Sequence, residues 1–381
     1  MGFYLGIGNI AKKCRKGYIG VNGVARKIKK MYIGVNNVAR LFFKSNRKIV
    51  YMGYTPQNIY PRRSEGAGAN VTGEYGSYAI IAGGAVHNAV YYYVDAFDTS
   101  LVRYSVLQLP KTSFKLGGVS FKDYALFMGG QLEVNNAHSR NNFAVAYDSS
   151  LTRTSLSSLF NSKFSAAAVT IDDYALYACG YTGAYTNCVD VYNSSLTKMN
   201  NAYLNQYKAM CYGASTSDYA FIGGGYYTTG NVCTVEAFDK SLTLYQVGTI
   251  GTGDPYQYQL CRMASVGKFV IIGNSHVTGS QTIAFDNAFT KYELENPPNP
   301  PGSGVSISTD DYAMFAGSNP PRNTLYAYDD SLTRTDYTMG TQRLNSMAAT
   351  VDNYVLIAGG MHTAYNDWGN YLETVEVFQL Q

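Results

Sequence analysis

Charged residues are scarce in this chain, since Asp, Glu, Lys and Arg make up 15% of its 381 residues. In ordinary soluble domains, charged residues make up roughly a quarter of the sequence. An intrinsically disordered chain is still excluded, because such chains contain few aromatic residues and 14% of this one is Phe, Trp or Tyr. No run of about 18 apolar residues occurs, so the sequence predicts no transmembrane helix and no membrane insertion. The N-terminus lacks a basic stretch followed by an apolar core, and we therefore expect no signal peptide.

Acidic residues are missing from the first 64 positions, which hold 14 of the 30 Lys and Arg residues. The rest of the chain carries the other 16 basic residues and all 26 acidic ones. The net charge of +4 is therefore the balance of a +14 segment and a −10 remainder. A boundary of this kind usually separates two modules with different partners.

Residues that build reactive sites are also few. The six Cys residues show no Cys-x-x-Cys spacing. Cys179 and Cys188 could face each other across a hairpin, but we expect free, semi-buried thiols in a reducing compartment. No Gly-x-Ser-x-Gly elbow, His-Glu-x-x-His helix or phosphate-binding loop is present. We accordingly predict no enzymatic activity, no metal site and no cofactor.

A short repeat fills the basic segment. Tyr4, Tyr18 and Tyr32 begin three copies at a spacing of 14, of which the second runs Tyr-Ile-Gly-Val-Asn-Gly-Val-Ala-Arg. Asn-Gly between apolar runs is a strong hairpin signal, so each copy predicts a two-stranded hairpin. A lone hairpin is marginal in water, and the three must stack, trimerise or dock onto something larger. We assign residues 1–44 as an anchor or oligomerisation segment, with key positions Tyr4, Tyr18, Asn22, Gly23, Arg26, Tyr32, Asn36 and Arg40.

A long repeat fills the remainder. In each copy an aromatic residue leads an apolar strand that ends in Gly, as in Tyr78-Ala-Ile-Ile-Ala-Gly83. There are seven copies in all, and they begin 42 to 50 residues apart. Later in each copy comes an aromatic residue followed by Asp or Asn, as in Phe97-Asp98; the last copy has Gln instead. The Asp or Asn side chain is expected to accept backbone N–H bonds from residues further on and so to close a turn.

Four short strands per repeat of this length are typical of a β-propeller blade. The sequence therefore predicts an all-β fold, with a seven-bladed propeller over residues 45–381 preceded by the small hairpin segment. The last copy stops after its third strand, at Val375–Phe378. A strand at residues 47–53 would supply the missing fourth strand and close the ring, which leaves no open edge.

The Gly-Gly that ends the second strand, the aromatic-Asp pair after the third and Pro61-Arg62 before the first resemble the kelch-type propeller family over roughly residues 47–381. The Trp that kelch blades carry on the fourth strand is absent from every copy. The resemblance implies a kelch-like propeller that acts through its loops.

Candidate binding residues lie in the loops between the second and third strands. These loops are rich in Tyr, Asn and His, a composition typical of binding surfaces on a rigid frame. The alternative is that the tyrosines pack between blades. The four histidines fall on different blades, which argues against a zinc site. The candidates are Tyr91, Tyr92, His138, Tyr185, Tyr226, Tyr227, His362, Tyr365 and Trp368.

The 14-residue repeat resembles one found near the N-termini of virion proteins of phages and prophages of Gram-positive hosts, tail and fibre proteins especially. This resemblance implies a structural protein of a bacteriophage virion, in a tail fibre, baseplate or head fibre. Residues 1–44 would bind other virion proteins, the propeller loops would bind a host-surface protein or glycan, and a homo-oligomer is compatible with both. The alternative is a cytoplasmic kelch-like scaffold that binds protein partners.

Overall fold

The computed structural model describes residues 47–134, 136, 138–226, 234–250, 261–273, 281–363 and 370–381, and the backbone of six strands within residues 3–44. These residues divide into two compact units, one of residues 1–49 with 380–381 and one of residues 50–379. The boundary near residue 44 expected from the sequence remains a prediction.

The N-terminal repeat forms three antiparallel two-stranded hairpins, as its period predicts. In the first two, the repeat tyrosine is the second residue of the leading strand, and in the third it is the third residue. The turn positions Asn22, Gly23 and Asn36 lie outside the described residues. The pairs are β1 (Phe3–Ile7) with β2 (Ile10–Cys14), β3 (Gly17–Val21) with β4 (Val24–Ile28), and β5 (Lys30–Val35) with β6 (Val38–Lys44).

The second unit is a seven-bladed propeller of four-stranded antiparallel sheets, so the predicted fold class is confirmed. The first propeller strand in the chain, β7 (Ile49–Tyr54), is the outermost strand of the seventh blade. Blade 1 contains β8 (Ala67–Gly73), β9 (Gly76–Ala82), a short ribbon of β10 (Ala85–Val86) and β11 (Ala89–Val90), then β12 (Val94–Phe97) and β13 (Arg103–Ser105).

The other blades follow the same order. Blade 2 has β14 (Gly117–Phe121), β15 (Tyr124–Met128), β16 (Ala144–Tyr147) and β17 (Arg153–Ser155), and blade 3 has β18 (Ala167–Ile171), β19 (Tyr174–Ala178), β20 (Thr186–Asn193) and β21 (Ala202–Lys208). Blade 4 has β22 (Tyr212–Ser215), β23 (Tyr219–Gly223), β24 (Thr234–Asp239) and β25 (Leu244–Thr249), and blade 5 has β26 (Arg262–Val266), β27 (Phe269–Gly273), β28 (Ile283–Asp286) and β29 (Lys291–Glu293). Blade 6 has β30 (Val305–Ser308), β31 (Ala313–Ala316), β32 (Arg322–Tyr328) and β33 (Arg334–Arg343), and blade 7 has β34 (Met347–Val351), β35 (Tyr354–Ala358) and β36 (Val375–Leu380) beside β7.

We call the four strands of a blade a to d from the axis outward. The b–c loops and the d–a connections lie at one end of the propeller, the loop face, because successive strands are antiparallel. The a–b and c–d turns lie at the other end, the turn face. Isolated bridges such as Ser64 to Ala85 and Phe114 to Gln131 join the two kinds of loop-face segment.

Apolar side chains on strands b and c form the core between neighbouring blades. Ile80 and Ala96 of blade 1 pack in one cluster with Phe127 and Tyr147 of blade 2, and all four are almost fully buried. The Tyr147 hydroxyl donates a 2.7 Å hydrogen bond to the Leu107 carbonyl. Tyr147 of blade 2 thus packs against blade 1, and its buried hydroxyl has the partner that a buried polar group needs.

The c–d turns are closed by the predicted Asp side chains. Asp98 Oδ1 accepts backbone bonds from Ser100 at 2.8 Å and from Val102 at 2.9 Å, while Leu101 adopts a φ of 63°. A positive φ is unfavourable for a branched residue, so the side-chain bonds hold the turn in shape. The same bonds form at Asp148, Asn193, Asp239, Asp286 and Asp329.

The expectation of free thiols is wrong for one pair of cysteines. Cys179, at the end of strand b in blade 3, forms a disulfide with Cys211, which directly precedes strand a of blade 4. Cys188 does face Cys179 across the hairpin, where its carbonyl accepts the Cys179 N–H at 3.1 Å, but its thiol is free and buried. The pairing joins adjacent blades, and spacing within one hairpin does not reveal such a contact.

Candidate functional site at the loop face

A ring of backbone hydrogen bonds frames the axis at the loop face. In six blades the non-glycine residue two positions before strand a has a φ between 51° and 60°. In five of these blades the N–H of this residue bonds the carbonyl of its equivalent in the preceding blade, for example Lys115 to Glu65 at 2.7 Å and Ser165 to Lys115 at 3.0 Å. Strained backbone of this kind persists only where its surroundings fix it. The other three bonds of this kind between described residues run from Met210 to Ser165, from Glu65 to Asn345 and from Asn345 to Ser303.

An axial cavity of about 280 Å³ opens inside this ring. Its walls are formed by small residues of strand a, among them Gly68, Gly118 and Gly213. A Cβ on Gly68 would lie 1.8 Å from the Ala348 carbonyl oxygen, so the inner strands leave no room for larger side chains there. The charged residues of the lining are Glu65, Lys115 and Arg262.

The cavity continues toward the turn face as a second volume of about 340 Å³. Each blade contributes one small polar side chain to it, at the same position of strand a. Thr350 Oγ1 donates to Asn70 Oδ1 at 3.3 Å, and Ser120 Oγ donates to the same atom at 2.5 Å. Hydroxyl and amide groups therefore line the axis around its circumference. The seven residues are Asn70, Ser120, Thr170, Ser215, Ser265, Ser308 and Thr350.

A side pocket of about 250 Å³ adjoins the axial cavity between blades 7, 1 and 2 and shares Glu65, Lys115 and Asn345 with it. Its apolar lining includes Val86, Met361 and Tyr371, which form a buried cluster with Leu344. The exposed His87 lines this pocket and also a neighbouring depression of about 300 Å³.

Charge in this pocket comes from a loose ion pair. Lys115 Nζ lies 3.8 Å from Glu65 Oε1 and 5.1 Å from the centre of the Phe114 ring. Burial raises the pKa of the Tyr371 phenol, and the negative charge of Glu65 raises it further, so this hydroxyl stays protonated at neutral pH. The pocket combines an apolar floor with a few polar groups, which is the usual composition of a ligand site.

The predicted loop residues fall into separate groups around the loop face. Tyr91 is half-buried against the cluster beneath the side pocket, whereas Tyr92 is 37% exposed and its ring lies 5.0 Å from that of Tyr93. Tyr185 of blade 3 and Tyr226 of blade 4 come together, with ring centres 5.3 Å apart. The expectation of surface tyrosines and the alternative of packing are thus each met by different residues.

The histidine predictions do not converge. His138 is exposed in blade 2, where its backbone N–H bonds Asn136 Oδ1 at 3.1 Å. His362, in blade 7, is half-buried with Nδ1 3.0 Å from the Asn370 carbonyl oxygen. No group of three His, Cys, Asp or Glu residues that could hold a metal ion occurs in the part of the chain that the structure describes.

Several predicted positions lie outside the described residues. They are Tyr227, Tyr365 and Trp368 in the loops, and Asn22, Gly23 and Asn36 in the hairpins. Tyr4, Tyr18, Arg26, Tyr32 and Arg40 lie in described strands, but the structure describes only their backbone.

The sequence interpretation missed the residues that precede strand a. Glu65, Lys115 and Asn345 occupy the same position in blades 1, 2 and 7, and Arg262 stands at the entry of blade 5. An alignment of the seven repeats on strand a would have brought them together. Their side chains share no residue type, however, so no composition signal marks them.

Comparisons with known proteins give no family for this chain. No family model matches it, and no curated protein matches it. Among the described residues there is also no helix of the length and apolarity needed to span a bilayer.

Proposed function

We propose that this chain is a structural protein of a bacteriophage virion, in which the hairpin segment binds the particle and the loop face of a kelch-like propeller binds the host surface. The observation that carries the binding role is the loop-face site. Three cavities adjoin there, exposed His87 lines two of them, and exposed Tyr92 lies in the same b–c loop as His87. Rigid strands hold these loops, so little order has to be gained on binding.

The particle role rests on the N-terminal repeat. Three hairpins at a 14-residue spacing present nearly the same element three times, and their sequence holds most of the basic residues of the +14 segment. A repeated basic element suits attachment to a repeated acidic partner surface. The resemblance to tail and fibre proteins supports the same assignment.

A cell-adsorption assay tests the binding role. Labelled full-length protein is incubated with cells of the strain that carries the gene, and the double variant His87→Ala, Tyr92→Ala is compared with Tyr75→Ala. Tyr75 is 70% exposed in the a–b turn of blade 1, at the opposite face. We expect the double variant to bind about 10- to 100-fold more weakly, since exposed anchors of this kind contribute about 1–3 kcal/mol together. Tyr75→Ala should bind like the native protein.

Mass spectrometry of purified particles from the same strain tests the particle role. Peptides of this chain should co-purify with the particles at a fixed stoichiometry. Recovery only in soluble complexes with cellular proteins would instead support the intracellular scaffold.

A further inference from the structure

Five cationic side chains are buried among the described residues, and four of them contact a buried carboxylate. In each of the four, a cation just before strand a meets an acidic residue on strand c of the same blade. The pairs are Arg63 with Asp95 at 2.6 Å, Lys163 with Asp190 at 3.0 Å, Lys208 with Glu236 at 3.1 Å and Arg343 with Glu376 at 3.0 Å.

Where the carboxylate is missing, the cation is missing too. In blade 2 the two positions hold Ser113 and Val145, and in blade 6 they hold Pro301 and Tyr326. The blades therefore carry both charges or neither at this place. This agrees with the high cost of a buried charge that lacks a partner.

Arg262 is the fifth buried cation, and it departs from this pattern. It is 9% exposed, and no carboxylate forms an ion pair with it in the described part of the chain. Its Nε donates to the Gly304 carbonyl at 2.6 Å, its Nη1 is 3.3 Å from the Cys261 carbonyl, and its guanidinium lies 4.2 Å above the Tyr212 ring. Carbonyls and a ring orient the group without neutralising its charge.

The position of Arg262 indicates the role of this positive charge. It lines the axial cavity, where the other two charged residues of the described lining, Glu65 and Lys115, are paired with each other. The described part of the lining therefore carries one net positive charge. Guanidinium binds carboxylate and phosphate oxygens through two parallel bonds, and in this structure Nη2 makes no hydrogen bond to a described residue.

The rest of the cavity limits the kind of anion. At about 30 Å³ per water, its volume of about 280 Å³ corresponds to roughly nine waters, comparable with a single sugar ring. Ser165, Ser306 and Asn345 line the same cavity with hydroxyl and amide groups. The seven polar residues of strand a that line the second volume, toward the turn face, continue this lining. Such groups suit a ligand with many hydroxyls.

We propose that the axial cavity binds an anionic sugar residue, whose carboxylate or phosphate is held by Arg262. This inference rests on the proposed role of the loop face in surface recognition and names its ligand class. The sugar would enter from the loop face, with its charged group toward Arg262 and its hydroxyls toward the serine and asparagine side chains.

Isothermal titration of the full-length protein tests this with four probes: methyl galacturonide, glucose 6-phosphate, neutral methyl galactoside and a hexapeptide of Asp and Glu. We expect one or both anionic sugars to bind at least tenfold more tightly than the neutral sugar and the peptide, and more weakly as salt increases. The two anionic probes distinguish a carboxylate from a phosphate ligand. Equal binding of the neutral sugar, binding of the peptide alone, or binding of no probe would overturn the proposal.

Variants locate the site. Arg262→Met should weaken binding of the anionic sugar at least tenfold, and Arg262→Lys should weaken it several-fold, because Lys keeps the charge but lacks the planar fork. The control is Lys268→Met, a 58% exposed cation at the turn face, which should bind normally. If Arg262→Met unfolds, the comparison of Arg262→Lys with the native protein decides, and unchanged affinity in the Lys variant with no salt dependence contradicts the proposal.

The adsorption assay separates this inference from the proposed function. If the His87, Tyr92 double variant loses cell binding while Arg262→Met keeps both cell and sugar binding, surface recognition stands and the anionic-sugar site is wrong. Loss of sugar binding in Arg262→Met supports the sugar site whether or not the native protein adsorbs to those cells.

Discussion

Buried cations have carboxylate partners inside four blades, whereas the buried cation at the axial cavity has none among the described residues. Arg343, at the end of β33 and just before blade 7, is fully buried and bonds Glu376, the Gly359 carbonyl and both the carbonyl and the hydroxyl of Thr374. Arg262 is almost as buried, but its partners are carbonyls and a ring. A buried cation that pairs with a carboxylate stabilises the fold, whereas the proposed role of Arg262 is to bind an anionic ligand in the cavity.

Breaking one of the four buried ion pairs within the blades should give the largest loss of stability. Arg343→Met leaves the fully buried Glu376 without its cation, and the loss of one partner from a buried pair costs about 3–5 kcal/mol. Urea unfolding of the full-length protein measures the loss of free energy of unfolding.

The double variant Arg343→Met, Glu376→Leu is the control for this prediction. It removes both charges, as blades 2 and 6 do, and should recover at least half of the lost stability. A single variant that costs less than about 1 kcal/mol would show that Glu376 needs no cation, because its bonds from the Gly340 and Thr341 N–H groups suffice.

A turn-face carboxylate tests whether hydrogen bonds alone stabilise a charge in this fold. Asp239 is partly desolvated, which opposes ionisation, but bonds from Ser241 and Thr243 together lower its pKa. Because the folded pKa is below the unfolded value, the stabilisation is present above about pH 4 and is lost as the pH falls through the folded pKa. Asp239→Ala should cost about 1 kcal/mol at pH 7, as for a lost capping side chain.

Thermal unfolding between pH 3 and pH 7 provides the measurement for Asp239. The matched control is Asp239→Asn, which keeps the acceptor oxygen as Asn193 does in blade 3. The difference in stability between the native protein and this variant should shrink below pH 4. A difference that is constant over the whole range would mean that the carboxylate charge is not involved.

Removing the axial cation should give the smallest effect on stability. Arg262→Met loses two bonds to carbonyls and the contact with Tyr212, but it also removes the cost of burying an unpaired charge. We therefore expect a change of less than about 1 kcal/mol in urea, against several for Arg343→Met. A loss as large as that of Arg343→Met would assign Arg262 to the structural cations and remove the contrast between the two regions.

Local signals in the sequence were sufficient for the repeating parts of this molecule. The Asp-x-Ser-Leu step predicts its own turn, because Asp98 and its equivalents bond N–H groups two and four residues away. Asn-Gly between apolar runs and the 14-residue spacing of the tyrosines predict the hairpins, because these signals also act over a few residues. The candidate site was only partly predictable, since Tyr92 is exposed as expected but Tyr91 is half-buried.

The sequence by itself determined the number of blades, the strands within them and the split of charge between the first 64 residues and the rest. Those features depend on periodicity and on turn chemistry, which act over a few residues. Only the tertiary structure decided which cations are neutralised, because the paired groups are 27 to 33 residues apart and join the segment before strand a to strand c. It also brought Cys179 to Cys211 and placed Arg262 beside the axial cavity with no carboxylate partner among the described residues, since such contacts depend on how neighbouring blades pack around the axis.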